Sequence, residues 1–130
     1  FVIGEDAPHM LTVFLHAFVV YGFTEEMFKY LVLKKYCSTK SDFDEPMDGI
    51  VYAVLVSLGF ALLENVIYVL GAASVAGPDG VAVGFGTAVL RAFTAVPAHA
   101  SFGVIMGFHF SNQHFGYAKK RLFPIALLLP

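Results

Sequence analysis

Apolar residues run almost unbroken through LTVFLHAFVVYGF (11–23), GIVYAVLVSLGFALLENVIYVLGAAS (49–74) and VAVGFGTAVLRAFTAVPAHASFGVIMGFHF (81–110), and a last run, LFPIALLLP (122–130), closes the chain. Each of the three longer runs, with its flanks, approaches or exceeds the roughly 20 residues that a helix rising about 1.5 Å per residue needs to cross a hydrocarbon core about 30 Å thick. None alternates apolar with polar, so the pattern argues against a β-barrel. Between the runs lie STKSDFDEPMD (38–48), where turn formers and Pro46 interrupt a helix, and the short turn AGPDG (76–80). The pattern predicts an all-α, polytopic helical transmembrane bundle: one helical domain over 1–130, with spans near 9–36, 47–73 and 80–110 and the start of another at 122–130. Because the chain opens on Phe1 and stops inside an apolar run, it reads as a fragment of a longer protein.

Composition strengthens the membrane reading. The chain is 58% hydrophobic and only 14% charged, with mean hydropathy +0.73, against about 45–50% and about 25% in ordinary soluble domains. Twelve glycines suit close helix contacts. A net charge of −2 gives no basic footprint for nucleic acid, and a single cysteine, Cys37, excludes an internal disulfide. Lys34, Lys35 and Lys40 flank the first loop, and Lys119, Lys120 and Arg121 the region after the third span, while AGPDG carries no basic residue. Cytoplasmic loops hold the excess of Lys and Arg, so the 37–48 and 111–122 loops are expected inside and the AGPDG turn outside.

Ionisable residues inside such spans are costly and need compensation. The first span carries Glu25 and Glu26, with Lys29 at i+4 from Glu25 in the favourable order. Adjacent glutamates point about 100° apart, so one faces a given centre while the other bonds a neighbouring helix or shares a proton. The second span has Phe60, Glu64 and Asn65; on the third, Arg91, Ala95, His99 and Gly103 recur at i+4 steps. Pro97 is expected to bend that helix near His99, and Gly103 to leave room for a backbone or a substrate. Polar groups such as Ser57, Asn65, Thr94 and Ser101 serve as interhelical glue, at roughly 0.6 kcal/mol each. Three glutamates, an arginine and a histidine exceed that use and point to a site. His9 and His16 are assigned to packing or the membrane interface, His109 and His114 to the inner surface.

A carboxylate base beside a histidine can activate water for amide hydrolysis, and His or Arg can stabilise an oxyanion. Glu25, Glu64 and His99 are also potential ligands for a divalent metal such as zinc, although HExxH is absent. The same groups would serve a proton-coupled transporter, and a non-catalytic scaffold subunit could keep the same helical framework. Glu25 lies about 14 Å from the inner end of its helix and Glu64 about 24 Å from the start of the next. For the two to meet, the second helix must protrude into the cytosol by a turn or two or the first must start deeper, and a long second helix is expected.

EEMFK (25–29), FDEPMDGIVYAVLVSLGFALLENVIY (43–68) and RAFTAVPAHASFGVIMG (91–107) together resemble the PrsW family of intramembrane proteases. The matches are EExxK at Glu25, Glu26 and Lys29, FxxxEN at Phe60, Glu64 and Asn65, and an arginine followed by HxxxG at Arg91, His99 and Gly103. That family is similar to the CAAX prenyl endopeptidases. The resemblance implies Glu25 as general base, Glu26 supporting it or sharing its proton, Glu64 orienting the water and His99 as electrophilic or acid partner, with Lys29, Asn65, Arg91 and Gly103 supporting. Glu64 stands where the larger superfamily has a histidine, which makes the centre more acidic and favours a bound cation or a shared proton. The resemblance further implies a prokaryotic plasma-membrane enzyme that cleaves membrane-anchored proteins, anti-sigma factors among them, and that has more spans than this chain.

Overall fold

A computed structural model describes Met10, Thr12, Val13 and residues 21–117. Most of the first apolar run, the 122–130 segment, His9 and His16 lie outside the described residues. From Phe23 onward, among the described residues, four α-helices follow one another: α1 (Phe23–Lys35), α2 (Pro46–Val75), α3 (Gly80–Phe93) and α4 (Ala95–His114), with single 3₁₀ turns at Cys37–Thr39 and Gly77–Asp79. No strand occurs among the described residues. The chain is an all-α membrane protein: α2 and the combined α3–α4 arm, Gly77–His114, are each long and apolar enough to cross a bilayer.

α2 starts where proline is tolerated. Pro46 occupies the first turn, and the Asp48 carboxylate accepts hydrogen bonds from the Glu45 N–H (2.7 Å) and the Asp44 N–H (3.1 Å). At 30 residues the helix is about 45 Å long, more than a hydrocarbon core requires. The turn after it needs Gly77, whose φ of 57° falls in the left-handed region.

The third span is two helices in sequence. The break falls at Thr94 (φ −117°, ψ −67°), three residues before Pro97. Proline has no N–H to give the carbonyl of Phe93, and its ring crowds that carbonyl, so the helix loosens one turn upstream of the proline. Flanking bonds survive, from Thr94 N–H to Leu90 O (3.1 Å) and Ala98 N–H to Thr94 O (3.2 Å), so α3 and α4 remain one bent arm.

Small residues set how α2 meets that arm. Gly49, Ala53, Ser57 and Ala61, each one turn apart, are the buried positions of α2. A Cβ on Gly107 would stand 2.5 Å from Gly49 O and from Ile50 Cα, and one on Gly103 would stand 2.9 Å from Val54 Cα and from Ser57 Oγ. The helix backbones are therefore in direct contact, a geometry that small residues permit. Gly103 thus houses the neighbouring helix rather than an open cavity. α3 makes a similar approach to the far end of α2 through Gly80 and Gly84.

α1 closes the other side. Tyr30, Leu33 and Cys37 pack with Phe43, Ala53, Met106 and Phe110 into the core. Phe43 returns from the loop to stack on Phe115 (5.9 Å between centroids) and to meet His114 edge-on (5.2 Å). His114 is thereby part of an aromatic cluster at the loop end of the bundle. Outward faces are apolar: Leu62, Leu63, Ile67, Leu70, Phe85 and Phe93 are all exposed. That inverted pattern suits hydrocarbon surroundings.

Candidate active site

The antiparallel register of α2 against α4 fixes which side chains meet. Ser111 faces Gly49, Gly107 faces Gly49 and Ala53, and Gly103 faces Ala53 and Ser57. Extending the series by one turn on each helix carries His99 to the level of Ala61, one turn short of Glu64, a gap the two long side chains bridge. The distances agree: His99 Nε2 lies 3.1 Å from Glu64 Oε2. The glycines of α4 are thus a positioning device for the histidine one turn above them.

Arg91 enters from α3. Its Nε donates to Asn65 Oδ1 (2.6 Å), its Nη2 donates to Glu64 Oε2 (3.0 Å), and its guanidinium lies 4.2 Å from the centroid of the Tyr68 ring. Tyr68 follows Glu64 by four residues, so the carboxylate and the ring occupy one face of α2. That stacking contact was available from the i+4 spacing, but the sequence reading did not single Tyr68 out. Asn65 serves as glue, as its residue type suggests, and the group it secures is the arginine that holds Glu64.

α1 contributes three charges. Glu25 reaches the centre: one ligand atom each from Glu25, Glu64 and His99 lie within 4.8 Å of one another. Glu26 points elsewhere and is buried, its Oε1 accepting from Lys29 Nζ at 2.6 Å. The expected partner of Lys29 was Glu25 at i+4; the structure pairs it with Glu26 at i+3, because Glu25 is turned toward Glu64. Lys29 has no exposed surface. Its ammonium also lies 2.9 Å from His99 Nδ1 and 5.6 Å from the Phe60 ring centroid. The Lys29–His99 contact joins residues 70 apart, and no local spacing could have announced it.

Charge bookkeeping identifies the odd member. Glu26 has Lys29 and Glu64 has Arg91, so each carboxylate has a fixed cation within a salt bridge. Among the described residues Glu25 has none. Two carboxylates this close do not both carry full charge without a cation or a proton between them. Within that spacing the two carboxylates can share a proton or a single water.

By atom type and spacing, Glu25, Glu64 and His99 could hold a divalent metal, three ligands being the number of a catalytic zinc site. Ligating histidines, however, donate their other N–H to a carboxylate or carbonyl. Here the other nitrogen, Nδ1, faces an ammonium, which can only donate. The two carboxylates suit a metal, and His99 in this arrangement does not.

The model of a family described as "PrsW family intramembrane metalloprotease" matches residues 3–130. Similar proteins carry the name "Protease PrsW": that of Geobacillus kaustophilus is 43% identical over 115 residues, covering 88% of this chain and 46% of the relative. That of Bacillus subtilis is 39% identical over 119 residues (90% and 50%), and that of Clostridioides difficile 36% over 118 residues (88% and 46%). The chain spans about half the length of the curated relatives it matches. No solved structure matches.

Proposed function

Since the chain belongs to the PrsW family of intramembrane metalloproteases, we propose that it forms the hydrolytic core of a protease that cleaves a peptide bond of a membrane-anchored protein, with Glu25 as general base. The reading rests on one observation above the rest: Glu25, Glu64 and His99, from three separate helices, converge within 4.8 Å, and among the described residues Glu25 alone of the three glutamates of the centre has no salt-bridged cation. A carboxylate without a permanent partner is the one free to take a proton.

In this reading a water held between Glu25 and Glu64 gives its proton to Glu25 as its oxygen attacks the scissile carbonyl carbon. Glu64, fixed by Arg91, orients that water. The His99 N–H, which rests against Glu64 Oε2, shifts to the oxyanion that develops on the carbonyl oxygen. As the C–N bond breaks, Glu25 returns the proton to the leaving amine. Glu26 serves indirectly, by neutralising Lys29. The substrate class is a single-pass or otherwise anchored membrane protein; an anti-sigma factor is the case that the family resemblance implies. The protein would sit in a prokaryotic plasma membrane with the 37–48 and 111–122 loops in the cytoplasm.

The test uses the full-length protein in liposomes with a labelled membrane-anchored substrate. Glu25→Gln keeps the shape and hydrogen-bonding capacity but removes the base, and cleavage should fall by roughly 10²–10⁴-fold, the range for loss of general base catalysis. Cleavage at the parental rate would overturn the assignment.

A further inference from the structure

The structure assigns Lys29 a role beyond neutralising Glu26: we propose that it is a positioning residue that keeps the hydrogen of His99 on Nε2, so that His99 acts as a hydrogen-bond donor in this centre and not as a metal ligand. The inference deepens the protease reading and rests on it only for what the N–H is used for.

An ammonium has three donors and no lone pair. Lys29 Nζ sends one N–H to Glu26 Oε1 at 2.6 Å and stands 2.9 Å from His99 Nδ1. A hydrogen on Nδ1 would set donor against donor at that distance. Nδ1 is therefore the lone-pair nitrogen, and the hydrogen is on Nε2, aimed at Glu64 Oε2 at 3.1 Å. Tautomers are set in this way by whatever the other ring nitrogen meets. Glu64 Oε2 also accepts from Arg91 Nη2, so the oxygen is held from two sides. Lys29 is itself immobilised: it has no exposed surface, is ion-paired one turn back along its own helix and lies over the Phe60 ring. A donor so enclosed has little freedom to swing away from Nδ1.

A consequence follows for metal binding. A metal at Nε2 needs a lone pair there, which requires the hydrogen to move to Nδ1, where Lys29 stands. Any divalent ion in the centre would rest on the Glu25 and Glu64 carboxylates, with His99 in the layer outside them.

The experiment is nitrogen-15 NMR of the full-length protein in lipid, labelled at histidine, with the His99 signals assigned by their loss in His99→Gln. Expected is a single neutral form, with hydrogen on Nε2 and a lone-pair signature at Nδ1, unchanged when zinc is added. Hydrogen on Nδ1 in the parental protein, or a zinc-induced shift of Nε2, would overturn the proposal. Lys29→Met removes the donor at similar length, and there both tautomers should appear and zinc should shift Nε2. If that variant fails to fold because Glu26 is left buried and unpaired, Glu26→Gln/Lys29→Met removes both charges and carries the same expectation; an unchanged single tautomer in it would count against the proposal. None of these readouts depends on cleavage, so a failed protease reading would leave them interpretable.

Discussion

Glu26 and Lys29 form an ion pair with almost no contact with the surroundings, at 3% and 0% exposure. Removing one member of such a pair leaves the other charged and unsolvated, which typically costs about 3–5 kcal/mol. Glu26→Ala should therefore destabilise the fold by that order, while Glu26→Gln/Lys29→Met, which removes both charges, should cost much less; reversible unfolding in mixed micelles measures both. If Glu26→Ala unfolds no more readily than the parent, the pair is solvated or absent. Arg91 invites a different substitution. Lysine would keep the charge but cannot bond Glu64 and Asn65 together while stacking on Tyr68. Loss of one such charge-assisted hydrogen bond is worth about 1.5–3 kcal/mol, so Arg91→Lys should lower cleavage roughly 10–100-fold with the fold retained, and a rate equal to the parent's would show that the fork geometry is idle. At this scale the sequence was legible in residue type and opaque in partnership. Uncompensated charge in apolar runs marked Glu25, Glu26, Lys29, Glu64, Arg91 and His99 at once. Which carboxylate Lys29 would choose depended on the rotation of α1 about its own axis, set by packing against α2 and α4.

Among the elements, α2 and α4 carry the site because their backbones touch. The register is defined at Gly107 and Gly103, where any side chain meets backbone of the opposing helix. Gly107→Ala forces α4 away from Gly49 and Ile50 and should destabilise by roughly 1–3 kcal/mol, the usual range for overpacking. It should also lower cleavage, since the same displacement draws His99 from Glu64. Gly86, on α3, has nothing within 4 Å of an added Cβ. Gly86→Ala should change stability by no more than about 1 kcal/mol, in the stabilising direction that helix propensity dictates. Equal effects at the two positions, by thermal aggregation or by cleavage rate, would remove the packing account. Where α2 starts and stops is signalled in the sequence by Pro46 and the AGPDG turn, whereas the third apolar run gives no sign that it forms two helices. The break at Thr94 is displaced from the bend expected near His99, because proline acts on the carbonyl four residues before it. Gly103 reads from sequence as space, and only the close approach of α2 shows that the space is filled.

On the scale of the whole molecule, two facts place the loops. Phe43, in the loop before α2, stacks on Phe115 just past α4, so the 37–45 and 114–117 segments share one end of the bundle. Asp79, in the turn between α2 and α3, is separated from that end by the length of α2. This geometry requires the two ends to lie on opposite faces of a bilayer, and in the proposed orientation the first end, with lysines at 34, 35 and 40, is the cytoplasmic one. It also explains how Glu25 and Glu64 meet despite their different distances from the loop. α2 extends beyond the end of α1, and the 36–45 segment climbs back along it, with Phe43 tucked into the core. Cysteine labelling tests the arrangement. The native Cys37 is buried, and burial pushes its thiol above the ordinary range against a smaller opposing pull from Lys40, so it should react slowly with a maleimide; Cys37→Ser removes it altogether. In that background Ser41→Cys, Asp79→Cys and Tyr117→Cys each place a thiol at an exposed position. A membrane-impermeant maleimide added outside intact cells should label Asp79→Cys alone, and after permeabilisation all three. Labelling of Ser41→Cys and Tyr117→Cys from outside would invert the orientation while preserving the fold. Separation of those two from each other would break the bundle itself, because no helical hairpin built on α2 and the α3–α4 arm can divide them.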